Sequence, residues 1–285
     1  MTRDAPKRSM PRDSRPPSVL TIAGSDSGGG AGIQADLKTI AAHGLHGLTA
    51  IAALTAQNTR MVSAVQVPPV AFLRAQIDAC FDDFRIGAVK IGMLANARVI
   101  HAVADALQAW NPKHIVLDPV MVASTGARLL QPAALQALRD HLLPLCSIVT
   151  PNIPEAELLL GHPITGGEEG EAALVDLLAL GARAVLLKGG HLPGREMIDR
   201  FDDGRQRQQF VHLKLKVEGH GTGCTLASAI AANLALGASL PHACAAASDY
   251  VHGALAAAYR PGKGKVAMLN HFWQLGSTAG GSRNA

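Results

Sequence analysis

The run His220-Gly221-Thr222-Gly223-Cys224 joins a flexible turn to a potentially nucleophilic side chain. The two glycines let backbone N–H groups converge where the uncharged segment that follows is predicted to begin a helix. The positive end of a helix dipole favours a bound phosphate and lowers the pKa of a thiol beside it. The spacing therefore predicts an anion site suited to phosphoryl transfer, with Cys224 as the first candidate for chemistry. A small buried cysteine in an ordinary turn is the alternative.

A second glycine-rich loop, residues 24–32, follows the first predicted strand and has three explanations. Residues 30–35 match the dinucleotide fingerprint G-x-G-x-x-A, but no acidic residue lies between Asp36 and Asp78 to bind a ribose. Neither glycine-rich loop has the lysine of a phosphate-binding P-loop. The third explanation is that the glycines bring the backbone close to a small uncharged substrate, with Asp26 and Asp36 supplying polar contacts.

Short apolar runs alternate with helical periodicity along the chain, which indicates a doubly wound α/β fold. Several of these runs are apolar on both faces, as the central strands of a parallel sheet are. An Asp-Gly turn at 203–204, flanked by alternating residues, predicts a β-hairpin that is either a flap over the site or a surface excursion. Strands are predicted at 19–23, 49–54, 88–91, 114–118, 147–150 and 184–188, and helices at 32–43, 69–81, 96–109, 132–142 and 169–180.

Polar or unusual residues follow most of the predicted strands at the point where each strand ends. In a doubly wound sheet, ligands bind in the crevice outside the carboxyl ends of the strands. One crevice is therefore predicted to collect these groups. They are residues 55–58 after the second strand, Gly92 and Met93 after the third, and Asp118, Asn152, Glu155 and Lys188 to His191 after the later strands.

The charge of the chain is concentrated at its amino-terminal end. Residues 1–17 hold five Lys/Arg and two Asp, a net +3 of the +4 of all 285 residues. Because this segment has almost no large apolar side chain, it is predicted to be a disordered basic tail. The rest is nearly neutral, which argues against a nucleic-acid partner. No linker divides it, so we expect one domain over residues 18–275 and a flexible tail over residues 276–285.

Four cysteines are scattered without zinc-type spacing, which predicts a reducing, cytoplasmic setting. Residues 221–241 carry no charge and approach the ~20 residues that span a bilayer. However, Leu226, Ile230 and Leu234 repeat at every fourth position among small residues. This spacing suits a helix packed by one face on a sheet, so no membrane span or membrane partner is predicted.

Eight sequence blocks in collinear order resemble one known family. From about residue 18 to 272, the sequence resembles the bacterial hydroxymethylpyrimidine/phosphomethylpyrimidine kinases of thiamine biosynthesis, which belong to the ribokinase-like superfamily. The resemblance implies a three-layer sandwich with a mostly parallel central sheet and a small β-hairpin flap. It also implies ATP and Mg²⁺ as cofactors, a small-molecule pyrimidine as substrate, and a homodimer. The blocks are residues 21–26, 29–39, 55–59, 90–94, 118–121, 150–155, 187–191 and 220–225.

The resemblance assigns the amino-pyrimidine to four residues, Gly24, Asp36, Gln57 and Met93. A carboxylate at Asp36 would accept from the exocyclic amine, and the Gln57 amide offers both a donor and an acceptor to the ring. The Met93 thioether would pack on the ring face. For Gln57, the alternative is a residue that only caps the turn after a strand.

The resemblance assigns ATP and the metal to the later strands. Asp118, Lys188 and Asn152 would line the phosphate path, with the Lys188 ammonium acting as a point charge on the triphosphate. Asn152 and Glu155 would organise Mg²⁺, mostly through its waters. Glu155 alone also fits a simple acidic residue in the first turn of a helix.

The implied catalytic residues are the turn Gly221, Thr222 and Gly223 with Cys224. Most of the wider superfamily has an aspartate at position 224, where it is interpreted as the general base. We therefore hypothesise that the Cys224 thiol, its pKa lowered by the helix terminus, accepts the substrate hydroxyl proton. The implied reaction transfers the ATP γ-phosphoryl group first to the 5-hydroxymethyl oxygen and then to the phosphate of the monophosphate.

Three alternatives remain open from the sequence. Pyridoxal or pyridoxine kinase activity uses the same scaffold. A cysteine-dependent hydrolase or transferase would use Cys224 with His220 or His191 as its base, although it would not need Lys188. A pyrimidine-binding module without activity is the third. The sequence departs from the family at Ser124-Thr125 and at Glu218-Gly219, both on the nucleotide side.

Overall fold

The computed structural model of the protein describes residues 15–122, 126 and 129–276. The predicted tails fall largely outside these residues, because 1–14 and 277–285 are not described. Ser124 and Thr125, where the sequence departs from the family pattern, also lie outside the described residues.

Nine strands of the described chain form one mostly parallel sheet. They are β1 (Ser18–Asp26), β2 (His46–Gln57), β3 (Val62–Gln66), β4 (Ile86–Ile91), β5 (Ile115–Leu117), β6 (Ile148–Val149), β7 (Val185–Leu187), β8 (Glu196–Asp202) and β9 (Arg207–Leu213). Their order is β3-β2-β1-β4-β5-β6-β7-β8-β9. Six neighbouring strands of this order, from β2 through β1 and β4 to β7, are parallel to one another. Strands β3, β8 and β9 are each antiparallel to the strand before them in the chain. A separate pair joins β10 (Gly219–His220) to β11 (Ala267–Met268).

The direction of travel across the sheet reverses at β1. Strand β2 lies on one side of β1 and β4 on the other, with Thr21 of β1 in register with Lys90 of β4. The connections that leave β1 and β4 therefore run in different directions, and a crevice opens between them. This topological switch point is where a doubly wound sheet binds ligands.

Helices cover both faces of the sheet and complete the predicted three-layer sandwich. They are α1 (Gly32–Ala42), α2 (Val70–Asp83), α3 (Ala97–Trp110), α4 (Ala134–Ala137), α5 (Ile153–Leu160), α6 (Gly167–Ala179), α7 (Thr222–Ala235), α8 (Leu240–Ala256) and α9 (Trp273–Gly276). One apolar core packs α2, α3, α5 and α6 on the sheet, and a second packs α1, α7 and α8 on the opposite face. Each predicted helix is present, with α4 continuing as a π-helix over Leu138–Leu142.

The predicted hairpin around Asp203-Gly204 is present, and because β8 pairs with β7 it continues the sheet. One prediction about packing is corrected. Helix α7 is buried on nearly all sides rather than by one face, because its Ala and Ser side chains let α1, α8 and the sheet approach closely. Among the helices of the described chain, none is long and apolar enough to cross a membrane.

Candidate active site

The predicted crevice is a cavity at the carboxyl ends of the parallel strands. Loops after β1, β4, β5 and β7 and the amino termini of α5 and α7 form its wall. All but one of the residues predicted for the site line it, the exception being Asp36. The lining residues are Gly24, Gln57, Met93, Asp118, Asn152, Glu155, Lys188, Gly221, Thr222, Gly223 and Cys224.

The turn before α7 is built as the sequence predicts. The helix begins at Thr222, and Gly221 caps it with a φ of 84° that disfavours any side chain. A Cβ atom at Gly221 would lie 2.0 Å from the carbonyl oxygen of Gly30, so the two glycine-rich loops touch backbone to backbone. The first helical hydrogen bond starts at the Thr225 amide, which donates to the Gly221 carbonyl. The amides of residues 222–224 therefore have no intrahelical acceptor and can bind an anion.

Cys224 lines the cavity, half-buried, but the predicted lowering of its pKa is wrong. Burial raises the pKa of the thiol to about 12; the Lys90 ammonium opposes this shift, and the Asp36 and Asp118 carboxylates reinforce it. The loss of hydration and the nearby carboxylates outweigh the helix terminus. The thiol is therefore protonated at neutral pH.

Lys188 lies between two carboxylates at the wall of the cavity. Its Nζ is 2.9 Å from Asp118 Oδ1 and 3.6 Å from Glu155 Oε2, and 14% of its side chain is exposed. Burial alone would lower the pKa of Lys188, but the two carboxylates reverse this effect and keep the ammonium charged. A Cβ atom at Gly223 would lie 3.0 Å from this Nζ. The charge is thus held against the first turn of α7.

Asn152 and Glu155 form a capping box at the start of α5. The Asn152 side chain accepts from the Glu155 amide, and the Glu155 carboxylate accepts from the Asn152 amide, both at 2.8 Å. Burial raises the pKa of Glu155 to about 7 against the opposing effect of Lys188, and Asp118 adds to the rise. Glu155 is therefore an acid in the first turn of a helix, as the alternative interpretation held, and both Asn152 and Glu155 also line the cavity.

The donor set fits a magnesium ion held mainly by water. Asp118 and Glu155 are two buried carboxylates that share the single cation of Lys188. Within the described residues, no group of three His, Cys, Asp or Glu side chains could enclose a metal ion. Mg²⁺ takes few protein ligands and keeps several waters, so oxygen donors of this kind suit it without such a cluster.

A hydrogen-bonded network of Asp26, Gln57 and His220 forms the opposite end of the cavity. His220 Nε2 is 2.9 Å from Asp26 Oδ2 and 3.2 Å from Gln57 Nε2. The same carboxylate accepts from the amides of Gly28, Gly30 and Ala31 and so shapes the first loop. The predicted site set omitted His220, although its place directly before the Gly-Thr-Gly turn was a signal.

Gly24 and Met93 form the apolar wall of this end. A Cβ atom at Gly24 would lie 2.9 Å from the Met93 sulfur, so the glycine leaves room for the thioether. Val120, Val122 and Leu129 extend the apolar lining. A flat heteroaromatic ring that needs polar partners at its edge and apolar contact on its face matches this combination.

Asp36 lies outside the cavity lining, which corrects the prediction that it contacts a substrate amine. Its side chain is completely buried. Oδ2 accepts from the Thr21 hydroxyl at 2.6 Å and from Lys90 Nζ at 2.9 Å, and Oδ1 accepts from the Ser228 hydroxyl at 2.8 Å. The carboxylate is directed to these three donors rather than to a ligand.

A second cavity continues the first on the far side of Lys188. The two share Asn152, Lys188, Thr222 and Gly223 in their linings. The second cavity extends to apolar and polar side chains of β8, α7 and α8, namely Met197, Asp199, Leu226, Ser248 and Val251. The turn of residues 221–224, hereafter the anion turn, therefore lies between two pockets.

The fold and this site define the class of protein. A doubly wound sheet with a ring-sized pocket at its switch point, next to a helix terminus and a lysine that suit phosphate, is the architecture of a small-molecule kinase of the ribokinase-like type. The chain belongs to the phosphomethylpyrimidine kinase family, whose family model matches residues 26–269. Membership of a kinase family implies ATP as the phosphoryl donor.

Individual relatives agree with this assignment. The hydroxymethylpyrimidine/phosphomethylpyrimidine kinase of Rhizobium meliloti is 48% identical over 262 residues, covering 90% of this chain and 98% of the relative. The crystal structure of phosphomethylpyrimidine kinase from Clostridium difficile matches with a TM-score of 0.75 at 42% identity, over 83% of this chain and 98% of that chain. The ADP complex of Bacillus subtilis pyridoxal kinase matches with a TM-score of 0.84 at 33% identity, over 91% and 98%.

Proposed function

We propose that this protein phosphorylates 4-amino-5-hydroxymethyl-2-methylpyrimidine and then its monophosphate, using ATP, as a kinase of thiamine biosynthesis. The observation that carries the proposal is a single cavity with the Gln57 and Met93 pocket at one end and the amides of residues 222–224 at the other. The Gln57 amide recognises the amino-pyrimidine edge, and Met93 packs on the ring. The hydroxymethyl group then faces the anion turn.

The nucleotide enters from the second cavity. Its phosphates lie along the shared lining of Asn152, Lys188, Thr222 and Gly223, so the γ-phosphoryl group meets the turn from the side opposite the pyrimidine. Mg²⁺ neutralises phosphate charge when bound, held through waters by Asn152 and Glu155 with Asp118 beside them. This arrangement supports in-line transfer between the two pockets.

The transfer depends on alignment and charge rather than on a strong base. A bond forms between the substrate oxygen and the γ-phosphorus while the bond to the ADP oxygen breaks, and the hydroxyl proton leaves to solvent. Cys224 lies beside the reacting groups as a neutral thiol. A bound phosphate adds negative charge next to the thiol and raises its pKa further. The amides of residues 222–224 and Lys188 stabilise the charge of the transferring group.

Two alternative activities are less well supported. Pyridoxal kinase shares the fold, but the identity to that neighbour is 33% against 48% for the pyrimidine kinase relative. A cysteine-dependent hydrolase needs a thiolate, whereas the thiol here has a raised pKa and His220 is bound to Asp26 and Gln57. Both observations favour the pyrimidine kinase.

The deciding experiment is a coupled ATP assay with the hydroxymethylpyrimidine, its monophosphate and pyridoxal as separate acceptors. We expect turnover with both pyrimidines, loss of turnover on magnesium chelation, and a much lower kcat/KM with pyridoxal. Gln57→Leu is expected to raise the KM for the pyrimidine roughly tenfold or more, because a ring donor and acceptor lose their partner. Gln66→Leu, on the exposed strand β3, is the matched control and should leave KM unchanged. A higher kcat/KM with pyridoxal would overturn the proposal.

The assembly and setting are also proposed. Strand β3 is an edge strand, and Leu54 and Val65 expose apolar side chains on opposite faces of this edge, 43% exposed in each case. An uncovered apolar edge favours a second subunit, so we propose a homodimer formed there. Light scattering of the purified chain and of Val65→Lys tests the dimer, which the lysine should dissociate.

Residues 18–275 act as one domain in this assembly. The cysteines of the described chain are unpaired, which fits a reducing cytoplasm.

A further inference from the structure

The ion pair between Asp36 and Lys90 is buried directly behind the site. Lys90 Nζ lies 2.9 Å from Asp36 Oδ2, and neither side chain has any exposed surface. Replacing such a pair by apolar residues is often neutral or even stabilising, because removing two charges from water costs about as much as their attraction returns. Stability alone therefore gives no reason for these two charges, and a role in the reaction does.

The carboxylate end of the pair fixes helix α7 to the sheet. Besides Lys90, Asp36 on α1 binds the hydroxyl of Thr21 on β1 at 2.6 Å and that of Ser228 on α7 at 2.8 Å. Ser228 lies one to two turns after the amides of residues 222–224. One buried carboxylate thus sets how far α7 reaches along the sheet, and with it the place of the anion turn.

The ammonium end of the pair lies behind the wall of the pyrimidine pocket. A Cβ atom at Gly92 would be 2.8 Å from Lys90 Nζ, and Gly92 directly precedes Met93 of the pyrimidine wall. The charge of Lys90 also acts on Cys224 more strongly than that of Asp36 does. The pair is therefore a buried dipole with its positive end toward the anion turn.

This orientation matters because the exposed charges of the site are not positive overall. Lys188 is shared by Asp118 and Glu155. A transferring phosphoryl group thus meets one lysine and two carboxylates at the cavity wall. A positive charge behind the turn strengthens the binding of the anion there without forming a contact with it, and protein interior screens it weakly.

We propose that Asp36 and Lys90 are positioning residues for phosphoryl transfer, which hold the anion turn of α7 in place and present a positive potential to the transferring group from behind it. This inference rests on the proposed kinase function. It predicts an effect on turnover that is separate from any effect on folding or on pyrimidine binding.

The test uses the double variant Asp36→Asn with Lys90→Met in the full-length chain. The asparagine keeps acceptor and donor groups for Thr21 and Ser228, so the fold is retained while both charges are lost. We expect kcat to fall by ~10–100-fold, the range for outer partners of an active site, while the KM for the pyrimidine changes by less than about threefold. The affinity for AMP-PCP, an ATP analogue that keeps the γ-phosphate, should fall with kcat when measured by calorimetry without pyrimidine.

The matched control is Asp202→Asn, which breaks the 2.7 Å ion pair with Arg207 in the β8–β9 hairpin away from both cavities. It should change thermal stability but not kcat. Should the double variant fail to fold, Ser228→Ala removes only the bond from Asp36 to α7, and we expect kcat to fall by roughly threefold to tenfold with pyrimidine KM unchanged.

A folded double variant with wild-type kcat and AMP-PCP affinity would overturn the proposal, as would Ser228→Ala with full kcat if it is the variant that folds. The AMP-PCP measurement separates this outcome from failure of the proposed function. If the wild type phosphorylates no pyrimidine but the variants still lose AMP-PCP affinity, only the substrate assignment fails.

Discussion

Two lysine–aspartate pairs near the candidate active site have the same 2.9 Å separation, and their surroundings differ. Lys188 and Asp118 border the cavity, with 14% of the lysine exposed, so a ligand phosphate can compete for the ammonium. Lys90 and Asp36 are completely buried, so a ligand cannot reach either charge to replace its partner. The comparison teaches that one pair is placed to meet ligands, whereas the other is placed to hold the structure that meets them.

Removing one member of the enclosed pair should give the largest effect. Lys90→Met leaves the Asp36 charge buried without a cation, so we expect a loss of about 3–5 kcal/mol in the free energy of unfolding. Urea unfolding followed by circular dichroism measures it. Lys188→Met should lose less than Lys90→Met, because the Lys188 side chain is already 14% exposed whereas Lys90 has no exposed surface. Equal losses for the two variants would remove the distinction between the pairs.

Removing the accessible lysine should have the largest effect on turnover. We expect Lys188→Met to lower kcat by ~10²–10³-fold, since a charge aimed at the transferring phosphoryl group is lost. Steady-state rates at saturating ATP measure this change, and Lys113→Met is the control, because Lys113 is exposed and lines neither cavity. A kcat within threefold of wild type would show that Lys188 does not act on the phosphates.

The carboxylate beside the accessible pair should impose a pH dependence. With the pKa of Glu155 raised to about 7, the folded state holds a proton that the unfolded state releases near the ordinary carboxyl pKa of 4.5. The contribution of this group to stability therefore decreases as pH rises between these values and is constant above them. The proposed magnesium site would need the ionised form of Glu155, so at limiting Mg²⁺ we expect activity to be roughly tenfold higher at pH 8 than at pH 6.

Glu155→Gln provides the comparison for this profile. The variant should be slower at pH 8 and should lose most of the pH dependence between 6 and 8. A variant that keeps the wild-type profile would assign the dependence to another group.

The smallest effect is expected at Cys224. Because its thiol is protonated at neutral pH, Cys224→Ala removes packing but no base, and we expect kcat to fall by less than about fivefold with an unchanged pH profile. Rates between pH 6 and 9 test this. A much larger loss, together with a new dependence on pH, would restore the thiol as proton acceptor and contradict the neutral assignment.

The sequence predicted the sheet and most of the residues that line the cavity where the signal is local. Buried parallel strands such as β1 and β4 are mostly apolar, and the glycine turn before α7 has a fixed geometry. Strand β3 was missed because four of its five residues are exposed and no buried alternation marks it. Helix α5, which is only eight residues long, was not among the predicted helices, although Glu155 was also interpreted as an acid in the first turn of a helix.

What the sequence did not predict depends on residues distant in the chain. Asp36 and Lys90 are 54 positions apart, and only the fold brings β4 against α1, so no spacing rule reveals their pairing. The prediction of a lowered pKa for Cys224 was wrong for a related reason. Helix position lowers a thiol pKa, but burial and two carboxylates from other elements decide the result.

The backbone contact between Gly30 and Gly221 has a consequence for the second phosphorylation. With no room for even a methyl group between them, the glycine-rich loop of residues 24–32 and the turn of residues 221–224 pack directly against each other. The monophosphate is longer than the alcohol by one phosphate group, yet it must deliver its terminal oxygen to the same turn. We therefore expect the ring to shift its position against Met93 and its neighbours to accommodate the extra phosphate, while the loop and the turn stay in contact.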